Sequence, residues 1–394
     1  MLRCGYGLRL LVGLAVLGLL GGCASSAPLS PPPATPVVSV ATPTVTVAPT
    51  PTIGASPTRS PLPATPVATV ATPTVTVAPT PTTGASPTTS SLPTIGQPAD
   101  DGARIIGVTT MDARTRDLTI QSPALGSPFG VTIVRLLLPD KFDAQPSTRW
   151  PVLYLLCGGG GRDQTDWTVY TDVEQLTAPT DLLVVMPEAA VATVDGWYSD
   201  WWNGGAGGPP KWETFHLSEL RQLLERNWQA GDKRVIAGLS MGAYGAMEYA
   251  ERQPGTFLAA ASFSGPLHPL GSLSIFDQVV PNALWGDSSA QADVWKAHDP
   301  TDNAAALKDT ALYVANGNGE IGPLDNGVAS PFDPDGSTER DVAGESAAFV
   351  QQLAALKIPV TVYAYGNGTH NFPYFQRDLH RWLPLILKAL GEKP

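Results

Sequence analysis

The sequence predicts an α/β fold in which a mostly parallel central sheet is covered by helices on both faces. Two observations predict it. Short, continuously apolar runs rich in β-branched residues recur at 131–138, 152–156, 182–186, 235–239, 311–315 and 360–365, and a strand that is apolar at consecutive positions faces a core on each side. Helix-period segments at 213–228, 241–253, 345–356 and 374–390 alternate with the later runs, the pattern of a sheet wound with helices.

The chain reaches that fold late. Residues 1–22 read as an export signal: Arg3 and Arg9 precede an apolar run, 10–20, that is too short to cross a bilayer comfortably. The run ends in Leu20-Gly21-Gly22-Cys23, small residues before a cysteine that suit a bacterial lipoprotein signal, with Cys23 lipidated and left as the mature N-terminus. Lipidation would spend Cys23 and cleavage would remove Cys4, so Cys157 alone would remain in the folded part and no internal disulfide is expected. Residues 23–100 form the second region. Residues 31–60 and 61–90 are a tandem duplication, with Ala-Thr-Pro-Thr-Val-Thr-Val-Ala-Pro-Thr unchanged from Ala41 and from Ala71. Such Pro/Thr-rich sequence lacks the apolar surface to offset its ordering entropy and is expected to be a disordered, extended stalk.

The third region, 101–394, is expected to be one folded domain. Segments 104–111, 117–122 and 131–138 follow one another without room for helices, so the sheet should open with antiparallel strands. The chain carries a net charge of −11, and its first hundred residues hold only Arg3, Arg9, Arg59 and Asp100, so the acidic excess belongs to this region. That balance, with no Lys/Arg cluster, argues against nucleic acid as a partner. No His/Cys/Asp spacing suggests a metal, and no cofactor is implied. Asp333-Pro334-Asp335-Gly336 resembles a fragment of a calcium loop but lacks its ligand series, and reads as a solvated acidic loop.

Gly238-Leu239-Ser240-Met241-Gly242 fits G-x-S-x-G and stands between the strand 235–239 and the helix 241–253. This is the context of a nucleophile elbow, in which a sharp turn lifts the serine hydroxyl above the sheet and aims the next backbone N–H, that of Met241, at a developing oxyanion. A serine needs a base, and the order Ser, acid, His places both partners downstream. His370 follows the last strand through Gly366-Asn367-Gly368-Thr369 and is the candidate base; His216 and His380 sit within helix patterns, and His268 and His298 lie in the middle region. The acid is expected in the loop after 311–315, where Glu320 is favoured and Asp325 is the reserve. A second oxyanion donor should come from Cys157-Gly158-Gly159-Gly160-Gly161-Arg162, with Gly159 preferred; no Gly-Lys-Ser/Thr follows to make this a phosphate loop.

Several motifs together resemble the putative esterase family of α/β-hydrolases, most closely the mycobacterial mycolyltransferases of the antigen 85 group. They are Tyr154-Leu155-Leu156, Val185-Met186-Pro187, Tyr198-Ser199-Asp200-Trp201, Lys211-Trp212-Glu213-Thr214-Phe215, Gly238 to Met241, Asp299-Pro300-Thr301, Gly317-Asn318-Gly319 and Gly368-Thr369-His370, in order across 104–390. The resemblance implies Ser240 as nucleophile, His370 as base and Met241 and Gly159 as oxyanion donors. It implies a glutamate as acid, near position 323 on a gapless alignment, which leaves Asp325 open. The chain departs from the transferases at Cys157, where they carry an aspartate that helps to hold trehalose, and at Asn371-Phe372, where they have Ser-Trp.

Trp197, Tyr198, Trp201 and Trp202 cluster beside Asp195 and Asp200 and suit either a substrate platform or core packing; Asp200 and Trp201, with Arg162, are taken as substrate-binding candidates. The apolar segment 266–285 suits a lid over an acyl chain or plain core. The expected function is a serine ester hydrolase working through an acyl-enzyme on Ser240, held outside the bacterial cell membrane by its lipid anchor or secreted, and acting on an ester or acyl-sugar substrate. The alternatives are an acyltransferase on envelope glycolipids and a catalytically idle adhesion or binding lipoprotein.

Overall fold

The computed structural model describes residues 94–160, 163–191, 194–271 and 282–392. The export signal, Cys23 and the duplicated repeats lie outside the described residues, as do Arg162 and residues 272–281 of the candidate lid.

Nine strands form one sheet in the order β1-β2-β3-β5-β4-β8-β9-β10-β11. β1 (Arg104–Thr110), β2 (Thr115–Gln121) and β3 (Val131–Leu137) pair antiparallel, and β3 pairs antiparallel with β5 (Leu183–Pro187). From there the sheet is parallel through β4 (Trp150–Leu156), β8 (Ala230–Leu239), β9 (Ala259–Phe263), β10 (Ala311–Asn316) and β11 (Val360–Ala364). A separate short hairpin joins β6 (Ala190–Val191) to β7 (Val194–Asp195).

The buried runs behave as their composition requires. In β4, Val152, Tyr154 and Leu156 point into one core while Leu153 and Leu155, with Cys157 beyond them, point into the other. The helices α1 (Arg221–Asn227) and α2 (Met241–Arg252) cover the first face, α2 through Met241, Tyr244, Met247 and Ala250; α3 (Ser337–Ala355) joins them through Phe349 and Leu353. The opposite face is covered by α4 (Phe372–Leu390), whose Phe375, Leu379, Trp382, Leu383, Ile386 and Leu387 follow the helical period.

Among the elements that differ from the sequence reading, two bear on the site. β9, Ala-Ala-Ala-Ser-Phe, was not expected as a strand, because alanine has little intrinsic preference for extended structure. Its small side chains are all buried and are held in place by β8 and β10 on either side, so tertiary context decides. The helix expected at 345–356 begins instead at Ser337. Its first turns are polar and carry no apolar stripe to reveal them. Two aspartates set the start: Asp333 accepts the backbone N–H groups of Thr338 and Glu339 at 3.0 Å each, and Asp335 accepts the backbone N–H and the hydroxyl of Ser337. Asp333 is buried, so it is a helix cap and not a solvated loop acid.

The packed part also begins before position 101. Ile95 N–H donates to Ile105 O at 2.8 Å, Ala99 is buried, and Arg226 bonds both Pro98 O and Asp100. Chain order along the sheet reverses at β4, since β5 lies on one side of it and β8 on the other. In such sheets the crevice beyond the carboxyl ends of the two diverging strands is where ligands bind.

Candidate active site

Ser240 stands between the end of β8 and the start of α2, at that crevice. Its backbone has φ 53° and ψ −124°, a strained conformation for a residue with a side chain, and its N–H is anchored to Phe263 O at 3.0 Å. The flanking glycines are obligatory. A Cβ on Gly238 would lie 2.1 Å from Gly242 O, and one on Gly242 would lie 2.5 Å from Cys157 O. Met241, as the first residue of the helix, has no intrahelical acceptor for its N–H.

His370 lies just before α4 and is buried. Its Nδ1 is 2.7 Å from Oε2 of Glu339, while its Nε2 is buried and has no hydrogen-bond partner among the described residues. Glu339 is fully buried, and its Oε1 accepts from the Ser264 hydroxyl at 2.8 Å and from Gly317 N–H at 2.5 Å. A carboxylate so held fixes the histidine tautomer with the proton on Nδ1 and leaves Nε2 as the basic atom.

The carboxylate paired with His370 is neither of the two expected from the sequence. Glu320 is exposed, and its backbone N–H donates to Asn318 Oδ1 at 3.0 Å. Asp325 is buried but binds the residues around the histidine rather than the ring: Thr369 hydroxyl at 2.5 Å, Gly322 N–H at 2.8 Å, Tyr374 hydroxyl at 2.9 Å and the Asn371 amide at 3.4 Å. Burial would raise its pKa, but the bonds from Thr369, Gly322, Tyr374 and Asn371 outweigh that and hold it below the usual value. The physical reason for the difference is the path of the chain after β10. Gly319 and Gly336, both at positive φ, approach so closely that a Cβ on Gly336 would lie 1.8 Å from Gly319 O. The intervening loop therefore returns to its origin and sets Glu339 beside the end of β10. A signal for it existed: Asp335-Gly336-Ser337-Thr338-Glu339 is a helix-start sequence, and Glu339, Val342, Ser346, Phe349 and Leu353 are buried at helical spacing.

The glycine loop after β4 lies against the serine, since a Cβ on Gly158 would be 3.3 Å from Ser240 Cβ. Asp195 on β7 braces the loop: its Oδ1 accepts Gly160 N–H at 3.0 Å, and a Cβ on Gly159 would meet its Oδ2 at 2.6 Å. Burial raises the pKa of this carboxyl. Tyr198 donates its hydroxyl to Cys157 O at 2.9 Å from beneath.

Around Ser240 and His370 the described residues form a cleft of about 190 Å³, lined by Gly158, Gly159 and Gly160 on one side and by the rings of Tyr170, Phe332, Phe372 and Phe375 on the other. The sequence reading missed Tyr170, Phe332 and Phe375, which come from three separate segments. Asp200 and Trp201 are not among the lining residues. Asp200 instead accepts the Thr214 N–H at 2.9 Å and its hydroxyl at 2.5 Å, which pins the segment leading to α1. Trp201 packs in the core, and Trp197 stacks edge-on with Tyr244 and Trp285. Of the aromatic cluster, Trp197, Tyr198 and Trp201 are buried in the core and Trp202 is half-buried.

Esterase Rv1288 of Mycobacterium tuberculosis is 37% identical to this chain over 175 residues, 44% of this chain and 37% of that protein, so the match spans well under half of that relative. Diacylglycerol acyltransferase/mycolyltransferase Ag85B of Mycolicibacterium smegmatis is 30% identical over 257 residues, 61% of this chain and 77% of that protein. Among solved structures, an S-formylglutathione hydrolase from Agrobacterium tumefaciens aligns with TM-score 0.57 at 17% identity, over 73% of this chain and 99% of that one. MPT51 of Mycobacterium tuberculosis aligns with TM-score 0.53 at 23% identity, over 68% and 98%. These structures share the α/β-hydrolase fold with the chain. The profile of the family described as putative esterase matches residues 122–386, most of the chain, and the chain belongs to that family.

Proposed function

We propose that the protein is a serine esterase or related acyltransferase working through an acyl-enzyme on Ser240. The observation that carries this reading is the buried His370–Glu339 pair, with the free Nε2 of His370 in the same cleft as a serine held in a strained elbow. His370 Nε2 takes the Ser240 proton as Oγ attacks the ester carbonyl, and the oxyanion is received by the N–H groups of Met241 and Gly159. The imidazolium, stabilised by Glu339, returns the proton to the departing alcohol. A water or an acceptor alcohol, deprotonated by the same Nε2, then releases the acyl group and restores Ser240.

Water is the acceptor we favour. The position of the transferases' sugar-holding aspartate is taken by Cys157, which is fully buried in the core. Placement outside the cell membrane, through a lipidated Cys23 or by secretion, belongs to the same proposal; no helix among the described residues is long and apolar enough to cross a membrane. Ser240→Ala should lower ester turnover by at least about 10³-fold while the folded spectrum is kept. Activity within tenfold of the unaltered protein would remove Ser240 from the reaction.

A further inference from the structure

The cleft also carries information about what it accepts. Its outer wall is aromatic: Tyr170 and Phe372 stack with centroids 4.4 Å apart, and Phe332 meets them edge-on at 6.4 and 5.7 Å. Phe375 closes the inner end, 5.7 Å from Phe372 and 5.1 Å from His370. Phe332 is 53% exposed, a large apolar ring left in water at the edge of the catalytic cleft. A substrate group covering it would recover that apolar area.

Size sets a second constraint. The cleft measures about 190 Å³, and an apolar cavity of about 150 Å³ is known to take one benzene molecule. The space between the glycine loop and the aromatic wall therefore holds one ring or a chain of a few carbons, and a longer chain would have to leave it. Charge sets a third. Asp166 is a carboxylate that lines the cleft, and an acyl group bearing its own carboxylate would meet it as a like charge.

We propose that this cleft is an acyl-binding subsite for a neutral, compact acyl group of about one aromatic ring, with Tyr170, Phe332 and Phe372 as the specificity-determining residues. The inference rests on the acyl-enzyme reading above. An aromatic acyl group would pack on the exposed faces and edges of these rings, offset or edge-on, while its carbonyl carbon is bonded to Ser240 Oγ.

The test is a p-nitrophenyl ester series with one constant leaving group: acetate, butyrate, benzoate, octanoate and palmitate. The subsite predicts that kcat/KM is highest for benzoate, is at least as high for butyrate as for acetate, and falls by roughly tenfold or more by octanoate. Phe332→Ala and Phe372→Leu should each lower the ratio of benzoate to acetate turnover several-fold, and Phe332, on an exposed loop, can be shortened without opening the core. A kcat/KM that rises through octanoate, or is flat across the series, would overturn the subsite while leaving the esterase reading standing. No turnover of any of the five esters would overturn both.

Discussion

Glu339 shows how much a single side chain depends on structure that its neighbours in sequence do not reveal. Ser240 and His370 were legible because each stands next to a strand end in a glycine-rich context that has few other uses. Their acid was sought by counting along the loop after β10, yet the loop doubles back, and the residue that reaches His370 is on the far side of it. Glu339→Gln should therefore lower turnover by about 10³- to 10⁴-fold, as the loss of a triad carboxylate does, while Glu320→Gln should leave it within about twofold. Measured kcat/KM values in the reverse order would return the acid to the loop. Asp325→Asn probes the other buried carboxylate. Folding lowers the pKa of Asp325 below 3.8, so its ionised form stabilises the fold above that value and the contribution is lost as pH falls through the folded-state pKa. The difference in thermal midpoint between the unaltered protein and Asp325→Asn should be full near neutral pH and shrink below about pH 3.8.

At the scale of elements, the strands with large β-branched side chains could be read directly, as could the antiparallel opening of the sheet. β9 could not, because its alanines are selected by the narrow space between β8 and β10 rather than by any preference of their own. The early turns of α3 were hidden for a related reason: their buried face is polar, with Glu339 pointing to His370, so hydrophobic periodicity begins only at Val342. Under the proposed mechanism the start of α3 couples stability to catalysis. Asp333→Ala removes an acceptor from two N–H groups and should cost about 1 kcal/mol in a denaturation experiment. It should also lower kcat several-fold with little change in KM, because Glu339 then loses the helix start that aims it. A stability loss with unchanged kcat would show that the cap is not needed to place the acid.

For the whole molecule, residues 94–100 belong with the folded part, although composition alone assigned them to the stalk. Ile95 donates its backbone N–H to Ile105 on β1, Ala99 donates to Ala103 just before it, and Arg226 and Asn227 hold the segment from α1. A chain starting at Thr94 should match the longer protein in thermal midpoint. One starting at Asp101 should melt several degrees lower, given that each lost bond contributes roughly 0.5–1.5 kcal/mol. Equal midpoints would mean that this segment adds nothing to the domain.

The central claim, that two helical layers and a nine-stranded sheet converge to make Ser240 the nucleophile, is tested most directly by covalent labelling. A fluorophosphonate probe should attach to Ser240 in peptide mapping, in proportion to the ester turnover lost, and Glu339→Gln should slow the labelling. Ester turnover that persists with Ser240 fully labelled, or a label found on another residue, would contradict the account.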